Sequence, residues 1–104
     1  MARFRFSRRA EADLVSIGAY TLRTWGADQA IRYVADLRAC CQMLAHNPEA
    51  GRVCDEIRRG LRRMEHGWHV IFYRPEAEGI LISRVLHQRM LPHRYAVDDD
   101  DRKP

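Results

Sequence analysis

Of the 18 basic residues in this 104-residue sequence, only Lys103 is a lysine and the rest are arginines. Positive charge is therefore carried by planar guanidinium groups, which pair bidentately with carboxylate or phosphate. Cysteine is scarce as well. Cys40, Cys41 and Cys54 are odd in number and two are adjacent, which argues against a disulfide framework. Without a C-x2-C pair, a zinc site shared with His46 is not expected, and the three read as buried free thiols. No stretch reaches the ~20 apolar residues of a membrane span. The opening MARFRFSRRAEADL contains no apolar signal-peptide segment, so a cytoplasmic protein is expected. A Gly-rich phosphate loop, a cofactor motif and a Ser-His-Asp pattern are all missing. Neither a cofactor nor a resident metal is expected. Nor do aromatics interleave with cations as they do in single-strand nucleic-acid binders.

The length fits one domain. The net charge is +4, but the last seven residues, DDDDRKP, hold four acids and two bases, so the remainder carries +6. A body of that charge attracts polyanions and acidic protein segments. The expected organisation is a domain over 1–97 and an acidic tail over 98–104 that has nothing to pack.

Hydrophobic periodicity sets the elements. In ARFRF, Ala2, Phe4 and Phe6 share one face and the arginines the other, which predicts a strand. Ser7 offers a helix N-cap, and Ala10 to Trp25 follows with a stripe of Ala10, Leu14, Ile17, Thr21 and Trp25, widened by Val15 and Leu22. Gly26 is a helix stop. A second helix runs from Ala27 to His46 on Ala27, Ala30, Val34, Leu37, Cys41 and Leu44, ended by Asn47-Pro48. Residues 48–60 read as a loop. Three strands complete the chain: Leu61 to Glu65, Trp68 to Arg74 and Ile80 to His87, joined by His66-Gly67 and the polar loop PEAEG. The order β-α-α-β-β-β predicts an α+β fold of the α/β class. It is a two-layer sandwich with a helical hairpin on a mostly antiparallel sheet.

Chemistry is concentrated at the end of the last strand, SRVLHQRMLPHRY. Metal-free RNA cleavage needs a base, an acid and a cation on the developing phosphorane charge. His87 with Arg62 or Arg63 and Tyr95 could supply them. Alternation puts Arg84 and His87 on opposite faces, and likewise Arg62 and Arg63, so the strands alone do not assemble the set. The plain reading of His87 is a strand-end histidine bonded to backbone. His69 reads as a core or interface residue, His46 and His66 as turn residues, and Trp25 and Trp68 as core and rim packing.

Four stretches resemble one known group, the ParE branch of the RelE/ParE toxin superfamily. SRRAEADLVSIGAYTLRTWG carries A-x-x-D-L-x-x-I-x-x-Y at Ala10, Asp13, Leu14, Ile17 and Tyr20. The second helix ends in N-P-x-x-G at Asn47, Pro48 and Gly51. LRRMEHGWHVIFYR ends in the Tyr73-Arg74 step, and SRVLHQRM matches the closing R-V-L-H-x-R-M strand. The likeness covers residues 4–95.

The resemblance implies the toxin of a type II toxin–antitoxin module that inhibits DNA gyrase by protein binding and is neutralised by a ParD-like antitoxin. Arg84, His87, Arg89, His93 and Arg94 would form the target-binding surface. Two alternatives stay open. One is a RelE-type ribosome-dependent mRNA endoribonuclease, from whose lysine-rich pattern this lysine-free body departs. The other is a diverged toxin that only binds its antitoxin.

Overall fold

The computed structural model describes residues 2–90. His93, Arg94, Tyr95 and the acidic tail lie outside the described residues. Strand β1 (Arg3–Phe6) leads into helices α1 (Arg8–Trp25) and α2 (Ala27–His46), then a 3-10 turn (Pro48–Ala50). Strands β2 (Arg52–Val53), β3 (Arg62–His66), β4 (His69–Glu76) and β5 (Gly79–His87) follow. The five strands form one sheet in the order β1-β5-β4-β3-β2, with β1 parallel to β5 and the other pairs antiparallel.

The expected helical hairpin on a sheet is present. Ser7 starts α1: its Oγ accepts the Ala10 N–H at 3.0 Å and donates to the Ser83 carbonyl at 2.8 Å, so the cap also ties the helix to β5. Gly26, at φ 95, turns the chain between the helices where a side chain would be strained. Ala10, Leu14 and Ile17 of α1 and Tyr33, Leu37, Cys41 and Leu44 of α2 pack on Ile71, Tyr73, Ile80, Ile82 and Val85 of the sheet. Each such aliphatic burial contributes about 1.5–3 kcal/mol.

The structure differs from the sequence reading in several places. The loop 48–60 contains β2, a two-residue edge strand paired with Arg62 and Arg63. The β3–β4 turn is one residue later than expected: His66 pairs with His69, so Trp68 sits in the turn beside Gly67 and not in a central strand. The β4–β5 loop shrinks to Ala77-Glu78, because Glu76 pairs with Gly79. The helix stripes rotate: Val15, Leu22, Trp25 and Ala27 are exposed, and Tyr33 is buried where Val34 was expected. Aliphatic identity alone did not tell the rim from the core. The sheet's other face carries a smaller core of Cys54, Leu61, Val70, Phe72 and Leu86, with Ile57 and Met90 packed against it.

The exit from α2 is held by one phenol. Tyr73 Oη donates to the Pro48 carbonyl at 2.7 Å and accepts the Gly51 N–H at 2.8 Å. A Cβ on Gly51 would collide with that hydroxyl, which gives the N-P-x-x-G spacing a packing reason. All three cysteines are free, with Cys41 and Cys54 buried and Cys40 half-buried. Burial pushes the Cys41 thiol up to about 12, away from thiolate chemistry. Among the described residues no helix is long and apolar enough to cross a membrane.

Candidate functional site

The register of β4 and β5 decides what lies at the end of the sheet. Phe72 pairs with Arg84 while Tyr73 pairs with Ile82, so Ser83 is an extra residue bulged out of β5. Beyond the bulge, Val85 joins the helix-side core and Leu86 the opposite one. His87 lies directly across from His69 on the next strand. The two imidazoles meet edge to face, with centroids 5.5 Å apart.

These rings floor a groove of about 700 Å³. Asp13, Ser16, Ile17, Tyr20, Thr21 and Trp25 of α1 form one wall. Tyr33 of α2 and Trp68 of the β3–β4 turn form another, and Gln88, Arg89 and Met90 close the end. Tyr20, Trp25 and Trp68 are 58%, 61% and 50% exposed, so three large aromatics stand at the rim. Exposed aromatics grouped in this way mark contact surfaces more often than cores.

Hydrogen bonds fix the polar groups. Tyr33 Oη accepts the Trp68 N–H at 3.1 Å and lies 2.6 Å from His69 Nδ1. The hydroxyl has one proton, and the ring nitrogen is far closer to it than the His66 carbonyl at 3.4 Å. Tyr33 therefore donates to His69 Nδ1, and neutral His69 carries its own proton on Nε2. Burial, then the neighbouring His87, hold the His69 imidazolium down to about 4, partly opposed by the Asp13 carboxylate. His87 Nδ1 accepts the Arg89 N–H at 3.1 Å, so its neutral form also carries the proton on Nε2.

His69 makes stability pH-dependent with a definite sign. Its folded-state value lies below its ordinary 6.5, so between those values the unfolded chain binds the proton and the folded chain does not. Its contribution is fully present above pH 6.5 and is lost as pH falls toward 4. The loss amounts to about 3 kcal/mol at most. Urea melts across that window should show stability falling with acid in the native chain, and a flatter profile in His69→Phe.

The expected site residues divide. His87 and Arg89 line the groove. Arg84, expected on the docking surface, is bound instead to Asp13 of α1: Nε–Oδ2 and Nη2–Oδ1 are both 2.8 Å, and Asp13 Oδ2 also accepts the Val85 N–H at 2.9 Å. That pair is nearly buried, with side chains 12% and 14% exposed. Arg62 holds the α2 exit by donating to the Gly51 carbonyl at 2.7 Å. Arg63 pairs with Glu65 at 3.0 Å and lies over the Phe72 ring. Neither arginine joins His87 in the groove lining. Tyr33, His69, Tyr20 and Trp68 do join it, and sequence reasoning left them out of the site. The available signal was the facing of His69 and His87 across a short hairpin. Among the described residues no cluster of three or more His, Cys, Asp or Glu could hold a metal ion.

Comparison with known proteins bears on the same segments. Residues 4–92 match the family described as ParE toxin of type II toxin-antitoxin system, parDE. The chain is 44% identical over 90 residues to Toxin ParE1 of Mycobacterium tuberculosis (strain ATCC 25618 / H37Rv), covering 86% of this chain and 92% of that one. It is 43% identical over 90 residues to Toxin ParE1 of Caulobacter vibrioides, covering 86% and 93%. Toxin ParE of Escherichia coli is 39% identical over 93 residues, covering 86% and 88%. The fold matches a chain of the chromosomal ParDE TA system from P. aeruginosa with a TM-score of 0.71 at 25% identity, over 84% of this chain and 96% of that one.

Proposed function

This chain belongs to the ParE toxin family of type II toxin–antitoxin systems, and on that premise we propose that it inhibits DNA gyrase by binding it and is neutralised by a ParD-like antitoxin. The observation that carries the reading is the composition of the groove margin. His87 and the exposed Arg89 stand beside three exposed aromatics, while Arg62, Arg63 and Arg84 are committed elsewhere. Such a surface is built to grip a protein. Among the described residues it lacks the convergent cations that phosphodiester cleavage requires.

The contact set is then His87 and Arg89, extended by His93 and Arg94. Arg84 serves the fold. The antitoxin has two further surfaces to use. Val15, Leu22 and Ile31 are exposed apolar positions on the helical hairpin, and β1 is an open sheet edge to which an extended segment can add. The +6 charge of residues 1–97 favours an acidic segment and speeds its arrival. A cytoplasmic location follows from a gyrase target.

A supercoiling assay with purified chain tests the reading: inhibition is expected, and undiminished gyrase activity at large excess of the chain rejects it. Mapping mRNA 5′ ends after induction separates the ribonuclease alternative. Cleavage within translated codons that disappears in His87→Ala would favour that alternative.

A further inference from the structure

The groove floor offers hydrogen-bond donors. The proton of neutral His69 sits on Nε2 because Nδ1 takes the Tyr33 hydroxyl, and that of His87 sits on Nε2 because Nδ1 takes the Arg89 N–H. Neither Nε2–H has a hydrogen-bond partner among the described residues, and both rings line the groove. The Arg89 side chain stands exposed at the same end. The carboxylate in the wall, Asp13, is already occupied by Arg84 and the Val85 N–H. The rest of the lining is largely apolar and aromatic, with Trp68 5.9 Å from Tyr33 between ring centroids. A cavity of this size, with few convergent polar groups, fits one anchoring side chain and a short length of backbone.

We propose that this groove receives a carboxylate borne next to an aromatic side chain on the toxin's protein target. The carboxylate takes the two imidazole Nε2–H groups and the Arg89 guanidinium, and the neighbouring ring lies against Tyr20, Trp25 and Trp68. The inference rests on the reading of this margin as a target-binding surface. A carboxylate is favoured over a phosphodiester because, among the described residues, Arg89 is the one arginine or lysine lining the groove and meets a single charge, whereas a nucleic-acid strand is held by a series of cations along its backbone. The donor set discriminates as well as attracts: an uncharged ligand of the same shape leaves the guanidinium unpaired.

The test uses the isolated chain and N-acetyl-L-tryptophan, which carries an indole and a carboxylate. Binding is read from the indole N–H signals of Trp25 and Trp68 and the ring signals of His69 and His87 by NMR. N-acetyl-L-tryptophan should move these signals and bind about tenfold more tightly than N-acetyl-L-tryptophanamide. Arg89→Gln changes an exposed side chain, leaves the melt unchanged, and should remove most of that preference. His69→Phe, which keeps a ring of similar size, should reduce it further. Equal binding of acid and amide overturns the proposal. So does the same response to inorganic phosphate alone, or shifts mapping away from the groove. Because the probe involves no gyrase, failure here with gyrase still inhibited refutes the site alone. Binding here with gyrase unaffected refutes the target reading alone.

Discussion

Asp13→Ala should destabilise the fold by about 3 kcal/mol, although in sequence Asp13 is only one position of the A-x-x-D-L-x-x-I-x-x-Y helix pattern. In the native chain its carboxylate takes both nitrogens of the Arg84 fork and the Val85 N–H. Removing it takes the carboxylate away from a guanidinium that is only 12% exposed and leaves a backbone donor unpaired. Breaking a buried pair on one side costs ~3–5 kcal/mol because the survivor stays desolvated, and partial exposure of this pair puts the effect at the low end. Asp13→Asn keeps the shape and one acceptor, so about 1–2 kcal/mol is expected. In a double-mutant cycle, Asp13→Ala with Arg84→Ala should cost clearly less than the two single changes added together. Additive losses in urea melts would mean that the two residues act separately.

A second large effect is expected at Gly79. A Cβ there would fall on the Arg3 carbonyl oxygen, with the Arg3 carbonyl carbon 2.7 Å away. That obstacle is backbone, and Arg3 is the residue paired with Gly79 where β1 meets β5. Gly79→Ala must therefore pry the parallel strand away from the sheet. Since β1 also leads into Ser7 and the start of α1, the expected cost is 3 kcal/mol or more, on the order of a quarter to a half of a small domain's stability. Gly60 is the control. It too has positive φ, at 86, but nothing lies within 4 Å of its Cβ position, so Gly60→Ala should cost only the backbone strain of ~1 kcal/mol. Comparable melting losses for the two variants would contradict the steric account.

These two residues show where the sequence was informative and where it was not. The helical hairpin was legible because Ser7, Gly26 and Asn47-Pro48 are local punctuation and the apolar spacing between them is helical. β4 and β5 were legible from their apolar runs, and β3, with the sequence RRMEH, from its place before the His66-Gly67 turn. β2 was not, since two exposed residues, Arg52 and Val53, have no pattern and become a strand only by pairing with Arg63 and Arg62. Gly79 looked like a loop glycine because the crowding that requires it comes from Arg3, 76 positions away. The bulge at Ser83 was invisible for the same reason.

The site was half legible. His87 and Arg89 were evident as a basic strand end. The role of Arg84 was not, because its partner lies 71 positions earlier in the chain. His69 and Tyr33 were obscured by their surroundings: each sits in a stretch whose plain reading is core. Only the sheet register and the packing of α2 bring the imidazole and the phenol together at the groove.

The central proposal is that this margin grips gyrase as a protein surface. Its most direct measurement is gyrase supercoiling titrated with the purified chain and with Arg89→Glu, a change at an exposed residue that should leave the melt unaltered. The account predicts dose-dependent inhibition by the native chain and a loss of potency of about tenfold or more in the variant. Full gyrase activity at saturating native chain, or equal inhibition by the two, would contradict it.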